Sequence, residues 1–325
     1  MANLIARIGI YGDIHLSSKN YGAHRDYPNE SLNYFRNITK IAEEGRFTHL
    51  IGCGDFSFGR FGTLEYRLAV EEELQKQCNL TKGNRYELKG NHDIAGYGMT
   101  ERDYYIKKGL IKDSTNFSIG NLNISMVDYG CANTANMNIK LDSGMVNLAI
   151  AHDFYRFSNT NTPQFGQAII LDNMKNWFGL DYLICGHVHK QMTFEGEIEN
   201  ADKTAKHKLI VDYPGSPSRP SYREGYMDEN GQVPIIDVYD DGKIDFNIAE
   251  FDLLPLSESF NLEEKAEEAK QKEEKEKKVD ISDIVQELDA HDRNVGNPED
   301  IIRSMENIDQ RYKDKAIDLL ERALA

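Results

Sequence analysis

The sequence predicts an α/β fold for residues 1–256, and two observations favour it. Short runs rich in β-branched and aromatic residues alternate with amphipathic helical stretches as far as about Asp252. That alternation is typical of α/β domains. Several of the runs also end in a polar residue of a metal-ligating type, and ligands of open α/β sheets collect at the carboxyl ends of strands.

The elements follow one another in a regular order. The predicted strands are residues 4–11, 48–54, 85–90, 122–129, 146–152, 181–186, 208–213, 233–239 and 243–251. Two helices between them have start signals, because Ser and Thr side chains can accept from the first free backbone N–H groups of a helix. Ser31 precedes LNYFRNITKIAEE, which Gly45 would end, and Thr63 precedes LEYRLAVEEELQKQ.

The composition changes after Pro255, which predicts two further segments. Residues 257–279 form a charged linker, because EEKAEEAKQKEEKEKK (residues 263–278) has no apolar face. Residues 280–325 form a helical segment with two apolar stripes. The stripes are Ile281, Ile284, Val285 and Leu288, and then Ile301, Met305, Ile308, Tyr312, Leu319 and Ala323.

Charge and cysteine usage limit the class of protein. The formal net charge of -16 means that the whole chain has no standing positive field for nucleic acid. The four cysteines form no CxxC pair, so we expect buried thiols, no disulfides and a reducing cytoplasm. The first residues, MANLIARIGIYGDIH, contain charge and favour a strand over a signal peptide. No stretch is apolar enough to span a bilayer, and we expect no membrane.

Five strand-end motifs carry the candidate chemistry. In chain order they are GDIH with Asp13 and His15, GCGD with Asp55, GNHD with Asn91, His92 and Asp93, AHD with His152, and GHVH with His187 and His189. Each motif alone has an ordinary explanation as a turn, a cap or a surface histidine. Side chains two residues apart on an extended segment face the same way, so each pair can bind from one side. Together the motifs predict a metal centre.

These motifs resemble those of the calcineurin-like metallophosphoesterases, D-x-H, G-D, G-N-H-D, a lone H and G-H-x-H, between Asp13 and His189. The resemblance implies a four-layer α/β/β/α sandwich with two metals at one edge. It assigns one metal to Asp13, His15, Asp55 and His189, and the other to Asp55, Asn91, His152 and His187. Asp55 would then bridge the two metals.

The resemblance also assigns the proton chemistry. His92 matches the histidine that protonates the leaving oxygen, and Asp93 would fix the ring of His92. The alternative is that His92 only hydrogen-bonds near the site. Imidazole, amide and carboxylate ligands suit Mn, Fe or Zn, and the resemblance favours Mn²⁺.

A later stretch is similar to the SbcD nucleases, bacterial relatives of the eukaryotic double-strand-break nuclease. KLIVDYPGSPSRPSYREG (residues 208–225) precedes two closing strands, although Pro214 to Ser216 can also be only a tight turn. Three departures stand out. Relatives often have His or Asp where this chain has Phe58, which argues against an exonuclease step. The strands that end at Phe251 lead almost directly to the linker, so we expect no DNA-holding capping domain between them. The acidic balance argues against unaided duplex binding.

The resemblance implies a DNA nuclease subunit acting with a coiled-coil ABC ATPase of the SbcC type in repair, recombination or DNA turnover. The helical segment 280–325 would bind that ATPase, and folding back or homodimerisation is the alternative. Candidate phosphate contacts in loops are Lys19, His24, Arg25, Arg60, Arg156 and Arg219, unless they are simply solvated. Two other functions stay open: a phosphatase or small-substrate phosphodiesterase, and a scaffold with a vestigial site.

Overall fold

The structure is a computed structural model that describes most of the first part of the chain. The described residues are 2–21, 23–94, 98–131, 139–160, 168–220, 230–261 and Glu263, Ile302, Arg303, Gln310, Lys313, Asp314 and Ile317. Contacts divide the chain into two units, Met1–Leu262 and Glu263–Ala325. The seven described residues of the second unit are helical. Both predicted apolar stripes, and the linker after Asn261 except for Glu263, lie outside the described residues.

The first unit alternates strands and helices as predicted. The strands are β1 Leu4–Tyr11, β2 His49–Gly52, β3 Arg85–Glu87, β4 Phe117–Ile119, β5 Leu122–Val127, β6 Val146–His152, β7 Tyr155–Arg156, β8 Ile169–Ile170, β9 Tyr182–Gly186, β10 Met192–Glu199, β11 Lys206–Tyr213, β12 Asn230–Tyr239 and β13 Ile244–Asp252. The α-helices are α1 Tyr27–Glu44, α2 Leu64–Leu80, α3 Glu101–Lys107 and α4 Leu256–Ser259, and 3₁₀ helices cover Leu171–Asn173 and Lys175–Trp177.

Two main sheets organise these strands. The first has the order β13-β12-β1-β2-β3 and the second the order β10-β11-β9-β6-β5-β4. In the first sheet β1, β2 and β3 are parallel neighbours. In the second sheet β5, β6, β9 and β11 are parallel neighbours. Parallel neighbours end at the same sheet edge, so the strand-end motifs of each sheet meet there.

Three hydrophobic clusters fill the spaces between layers. Ile8, Ile10 and Ile51 of the first sheet pack with Ile150 and Ile184 of the second. Outside the first sheet, α1 and α2 bury an apolar face in a second cluster. Outside the second sheet, a third cluster includes Trp177, whose 3₁₀ helix covers that face together with neighbouring loops. The predicted α/β fold is confirmed, and short 3₁₀ segments form the outer cover of the second sheet among the described residues.

Helix α1 begins earlier than the sequence predicts. Its N-cap is Asp26, whose side chain accepts from Asn29 N, and Pro28 occupies the first turn. Ser31, the predicted cap, lies inside the helix, where its hydroxyl donates to the carbonyl oxygen of Pro28. Proline suits a first turn because its missing N–H would be unpaired there anyway. The predicted ends at Gly45 and Thr63 are confirmed as caps of α1 and α2.

The packed part of the first unit extends a few residues into the predicted linker. Phe260 is buried, and its ring centroid lies 4.0 Å from that of His24. The backbone N–H of Asn261 donates to the carbonyl oxygen of Ala23 at 2.8 Å. Among the residues that the structure describes, no helix has the length and hydropathy needed to cross a bilayer.

Candidate metal centre

The two sheets deliver the strand-end motifs to one place. The ends of β1, β2 and β3 carry Asp13 with His15, Asp55, and Asn91 with His92, while β6 and β9 supply His152 and then His187 with His189. Past the strand ends, His15 N donates to Asp55 O at 2.9 Å and links the first two loops. His187 N donates to Asp13 Oδ2 at 2.8 Å and links the sheets.

One group of donor atoms surrounds His15. Its Nε2 lies 2.9 Å from Nε2 of His189 and 3.7 Å from Oδ2 of Asp55. The His15 and Asp55 side chains are buried. Two ring nitrogens facing each other beside a carboxylate are a donor set that Mn, Fe or Zn can use.

A second group of donor atoms surrounds Asn91. Its Oδ1 lies 3.0 Å from Nε2 of His152 and 2.9 Å from Nδ1 of His187. Nε2 of His152 is also 3.4 Å from Oδ2 of Asp55. The other ring nitrogen of His152 lies 2.7 Å from the carbonyl oxygen of Cys53. A backbone acceptor at Nδ1 leaves Nε2 free for a ligand, as second-sphere partners of metal-bound histidines commonly do.

Asp55 belongs to both groups. Its Oδ2 lies 3.7 Å from Nε2 of His15 in the first group and 3.4 Å from Nε2 of His152 in the second. A carboxylate oxygen that faces two donor groups can bridge two cations. The structure therefore brings the seven predicted ligands together, with Asp55 between the two groups.

The backbone at three of these ligands is strained. His15, Asp55 and His187 have φ values of 47°, 52° and 76°. A left-handed conformation is uncommon for residues with a Cβ, and such strain clusters at functional sites. The ligands are thus held in conformations that ordinary turns would not need.

Glycines before the ligands leave room for neighbouring ligands. A Cβ at Gly90 would lie 2.1 Å from Asp55 Oδ1, and one at Gly186 would lie 2.6 Å from Asp13 Oδ1. A Cβ at Gly54 would lie 2.5 Å from Nδ1 of His152. In these three motifs the glycine therefore makes space for a side chain from a different motif, which explains physically why glycine precedes aspartate, asparagine and histidine there.

The protonation of the ligands follows from burial and from mutual charge. Burial lowers the pKa of His15 to about 3, which favours the neutral, ligating imidazole. Burial alone would lower the pKa of His152 and raise that of Asp55. The charges of Asp13 and then Asp55 outweigh burial at His152 and raise its pKa, while His152 outweighs burial at Asp55 and lowers the pKa of that carboxyl.

The residues fit a divalent metal pair. Within the part of the chain that the structure describes, His15 Nδ1 is buried without a hydrogen-bond partner, which costs about 1–3 kcal/mol, and Asp13 Oδ1 has only His152 Nδ1 beside it, at 3.2 Å. Buried carboxylates cluster beside imidazoles, an arrangement that a cation compensates. Candidate ligands for the pair are Asp13, His15, Asp55, Asn91, His152, His187 and His189.

The structure gives Asp93 a different role from the one predicted. Its carboxylate accepts from the backbone N–H groups of Phe56, Ser57 and Gly90 at 3.2, 3.4 and 3.0 Å. The expected contact that fixes the ring of His92 is replaced by contacts that tie the Asp55 loop to the Asn91 loop. Burial and the charge of Asp55 raise the pKa of Asp93 to about 7.

His92 lies at the mouth of the site. Its side chain is exposed, and its backbone N–H donates to Asp55 Oδ1 at 2.8 Å. Its ring centroid lies 5.1 Å from that of His15 and 4.7 Å from that of Phe58. An exposed imidazole next to the donor groups is placed where it can reach a substrate.

Arg219, predicted as a phosphate contact, has a structural role instead. It is 5 % exposed, and its Nη2 donates to Ser259 Oγ at 3.0 Å and lies 3.6 Å from Oε1 of Glu30. His24 joins this cluster, with its Nε2 2.7 Å from the carbonyl oxygen of Arg219. A guanidinium that is buried and ion-paired cannot reach a phosphate in the solvent. The prediction that Arg219 contacts phosphate is therefore wrong.

The other predicted phosphate contacts lie nearer to solvent. Arg60 is exposed and Arg156 is half-buried on β7. Arg25 is exposed, and its Nε donates to the carbonyl oxygen of Ser257 at 3.2 Å. Lys19 is exposed as well. All four positions are compatible with phosphate contact.

Two features beside the ligands were missed in the sequence. Ser216 Oγ donates to the carbonyl oxygen of Asp13 at 2.6 Å, and Ser216 N donates to that of His189 at 3.0 Å. The Pro214–Ser216 segment is therefore more than a turn, because it braces both ends of the first donor group. Tyr129 also packs here, with its ring centroid 5.8 Å from that of His187. The sequence signal for Tyr129 is its position just after β5, the strand that pairs with β6 and its terminal His152.

Two solved structures are among those similar to this chain. A dimetal phosphatase from Danio rerio is similar in structure, with 10% identity, a TM-score of 0.45 and coverage of 78% of this chain and 100% of that chain. Vps29 from Chaetomium thermophilum shows 11% identity, a TM-score of 0.33 and coverage of 77% and 100%. No curated protein matches the sequence.

The family itself is shown by sequence. Residues 6–191, more than half of the chain, match the family described as calcineurin-like phosphoesterase. The matched range contains all five motifs and the whole candidate metal centre. The chain belongs to the calcineurin-like phosphoesterase family.

Proposed function

We propose that the protein is a phosphodiesterase that uses two divalent metal ions, most favourably Mn²⁺ with Fe or Zn as alternatives. The observation that carries this proposal is the position of Asp55, whose Oδ2 lies 3.7 Å from Nε2 of His15 in one donor group and 3.4 Å from Nε2 of His152 in the other. A bridging carboxylate is what a pair of cations requires and what a single ion does not. The complete donor set argues against a scaffold with a vestigial site.

The metals would supply charge neutralisation, alignment of the phosphate and a water of lowered pKa as nucleophile. The protein supplies the remaining parts. His92 donates a ring proton to the leaving oxygen as the P–O bond breaks, and it then takes a proton from solvent. Its exposed ring beside His15, 5.1 Å between centroids, supports this assignment. Asp93 contributes by tying the loop that follows Asp55 to the loop that contains Asn91.

At a finer level we propose that the substrate is DNA and that the chain is the nuclease subunit of a nuclease–ATPase complex of the SbcC and SbcD type. The sequence of residues 208–225 supports this proposal, and so does the apolar patterning of residues 280–325 behind a charged linker. An amphipathic helix needs an apolar counterpart, and a coiled-coil ATPase offers one. Partner binding also supplies the local charge for DNA that the chain as a whole lacks.

A second candidate is a phosphatase or small-substrate phosphodiesterase with the same site. Two observations favour it. The net charge is -16, and Arg219 is occupied by Glu30 and Ser259 instead of facing solvent. Both reduce the capacity of the isolated chain to hold a long polyanion.

A substrate panel separates the candidates. Purified full-length protein is assayed with Mn²⁺ on p-nitrophenyl phosphate, bis-p-nitrophenyl phosphate, a cyclic nucleotide and linear DNA with single-stranded and duplex ends. The DNA assays are repeated with the coiled-coil ATPase and ATP. The matched control is Asp55→Asn, which keeps the side-chain shape but removes the charge that two cations share.

We expect the diester and the DNA to be cleaved, with DNA cleavage increased by the ATPase, and Asp55→Asn to abolish both reactions. Cleavage of only the small esters, with DNA left intact in the presence of the ATPase, would replace the nuclease proposal by the second candidate. Full activity of Asp55→Asn would contradict the two-metal proposal itself.

A further inference from the structure

The ring of His92 is held by an aromatic neighbour and not by a carboxylate. The centroid of the Phe58 ring lies 4.7 Å from that of His92, with an angle of 40° between the ring planes. Among the described residues no side chain hydrogen-bonds to the ring of His92, and the Asp93 oxygens are engaged by backbone N–H groups. The ring of His15 also meets that of His92 edge-on, with centroids 5.1 Å apart, so the packing of Phe58 and His15 restricts an otherwise exposed imidazole.

Phe58 is itself firmly held. Its N–H donates to the carbonyl oxygen of Leu16 at 2.9 Å, and its carbonyl oxygen accepts from the hydroxyl of Tyr21 at 2.9 Å. The Tyr21 ring packs edge-on against Phe58 with centroids 4.5 Å apart. The Phe58 ring also meets the ring of His15 edge-on, at 5.7 Å. Phe58 thus connects the ring of His92 to a ligand histidine and to the strand-end loop of β1.

We propose that Phe58 is a positioning residue that holds the ring of His92 toward the leaving oxygen. This inference rests on the proposed function, in which His92 gives the proton to that oxygen. An aromatic face restricts the ring by van der Waals contact and leaves both of its nitrogens available, because such packing uses no hydrogen bond. Phe58 therefore does for His92 what the sequence assigned to Asp93.

The proposal has a consequence that depends on the leaving group. A p-nitrophenolate leaves readily without a proton, whereas an alkoxide such as a nucleoside hydroxyl needs one. Loss of the ring that orients His92 therefore slows only reactions with poor leaving groups. A role of Phe58 in folding or in metal binding would instead slow all substrates alike.

The test compares two nitrophenyl diesters with a dinucleotide. The variants are full-length Phe58→Ala, Phe58→Leu and Phe58→Tyr, assayed with saturating Mn²⁺. Two substrates release p-nitrophenol: bis-p-nitrophenyl phosphate and the p-nitrophenyl ester of thymidine 5′-monophosphate. The third substrate is a dinucleotide that releases a nucleoside. Phe117→Leu is the matched control, because Phe117 stacks on another histidine, His49, with centroids 5.8 Å apart and outside the candidate centre.

We expect Phe58→Ala and Phe58→Leu to lower kcat on the dinucleotide by about 10- to 100-fold, less than the about 100- to 10,000-fold of a general acid because His92 itself remains. The two nitrophenyl esters should lose less than about threefold, because no leaving-group proton is needed there. Phe58→Tyr keeps a ring and should retain most of the activity on the dinucleotide. Phe117→Leu should behave like the wild type on every substrate.

A second readout does not depend on turnover. In metal-free protein the ring protons of His92, assigned with His92→Gln, are followed by NMR, and the ring current of Phe58 displaces them. We expect these signals to move in Phe58→Leu and to stay in Phe117→Leu. Equal losses on all three substrates, or unmoved His92 signals, would overturn the proposal. A wild-type protein that cleaves none of the diesters would contradict the proposed function instead, and the NMR result would still report on the contact.

Discussion

Replacing Gly90 by alanine should disable the metal centre through a single methyl group. Its Cβ would lie 2.1 Å from Asp55 Oδ1, 2.3 Å from Asp55 N and 2.8 Å from Asp55 Cγ. Real Cβ atoms do not approach heavy atoms closer than 3.0 Å, so Asp55 or the Asn91 loop must move by about 0.9 Å. Gly90 has no left-handed φ, so the effect is steric and not conformational.

The size of the effect follows from that displacement. A misplacement of about 1 Å in a catalytic group costs about 100-fold in rate, or about 2.7 kcal/mol in transition-state stabilisation. Disturbing the surroundings of a ligand lowers metal affinity by about 10- to 100-fold. Because Asp55 belongs to both donor groups, we expect both metals to bind more weakly.

Calorimetric titration with Mn²⁺ and hydrolysis of bis-p-nitrophenyl phosphate measure the two effects. Gly144→Ala is the control, because the nearest heavy atom to a Cβ there is Asp142 Oδ1 at 3.5 Å, an ordinary contact. Circular dichroism of both variants checks that each is folded. If folded Gly90→Ala binds two metals with wild-type affinity, the close packing of the Gly90 and Asp55 loops does not control the site.

Three further predictions concern other parts of the chain. Burial and Lys112 lower the pKa of His49 to about 4 from 6.5, so the unfolded state binds more protons between these values and stability falls as pH falls through that window. Between pH 7 and pH 4 the free energy of unfolding of His49→Gln, measured with urea, should therefore fall by about 1 kcal/mol less than that of the wild type, after allowance for solvent screening. Parallel pH profiles of the two proteins would refute this. Arg219→Ala should lose about 2 kcal/mol of stability, because it removes the guanidinium from a buried carboxylate that keeps, among the described residues, only His24, Tyr34 and Ser259 as partners; an unchanged denaturation midpoint with weaker DNA binding would restore the phosphate role. Removal of residues 263–325 should abolish co-purification with the ATPase and preserve cleavage of bis-p-nitrophenyl phosphate, and retained co-purification would contradict the assignment of the partner site.

The sequence predicted the location of the candidate centre well because strand ends are local features. A strand-like run precedes Asp13, Asp55 and His152, in which apolar residues either alternate with polar ones or are continuous. The place of each residue at a sheet edge could therefore be inferred separately. Parallel pairing of the strands then brings the ends together. The short-range spacing of His187 and His189 likewise predicts a shared direction.

The contacts between distant loops could not be predicted in this way. Arg219 looked like any loop arginine, and only the fold shows that it faces Glu30, which lies on α1. Asp93 was assigned to its sequence neighbour His92, whereas its partners lie on the loop that follows Asp55. These side chains have partners far away in sequence, and no periodic pattern records such pairs.

Short elements were missed for a different reason. Helix α3 has only a capping box, Thr100 with Asp103, as its start signal, and it is too short for an apolar periodicity. Strand β4 covers three residues. The start signal of α1 is Asp26 followed by Pro28, whereas Ser31 is the cap that the sequence predicts. The Ser31 hydroxyl donates to the carbonyl oxygen of Pro28 within the helix.

The presence of two cations sharing Asp55 is tested most directly by anomalous diffraction from crystals of the full-length protein grown with Mn²⁺. Two anomalous peaks are expected, one beside His15 and His189 and one beside Asn91 and His152, with the Asp55 carboxylate between them. A single peak, or two peaks with Asp55 turned away from one of them, would contradict the two-metal centre.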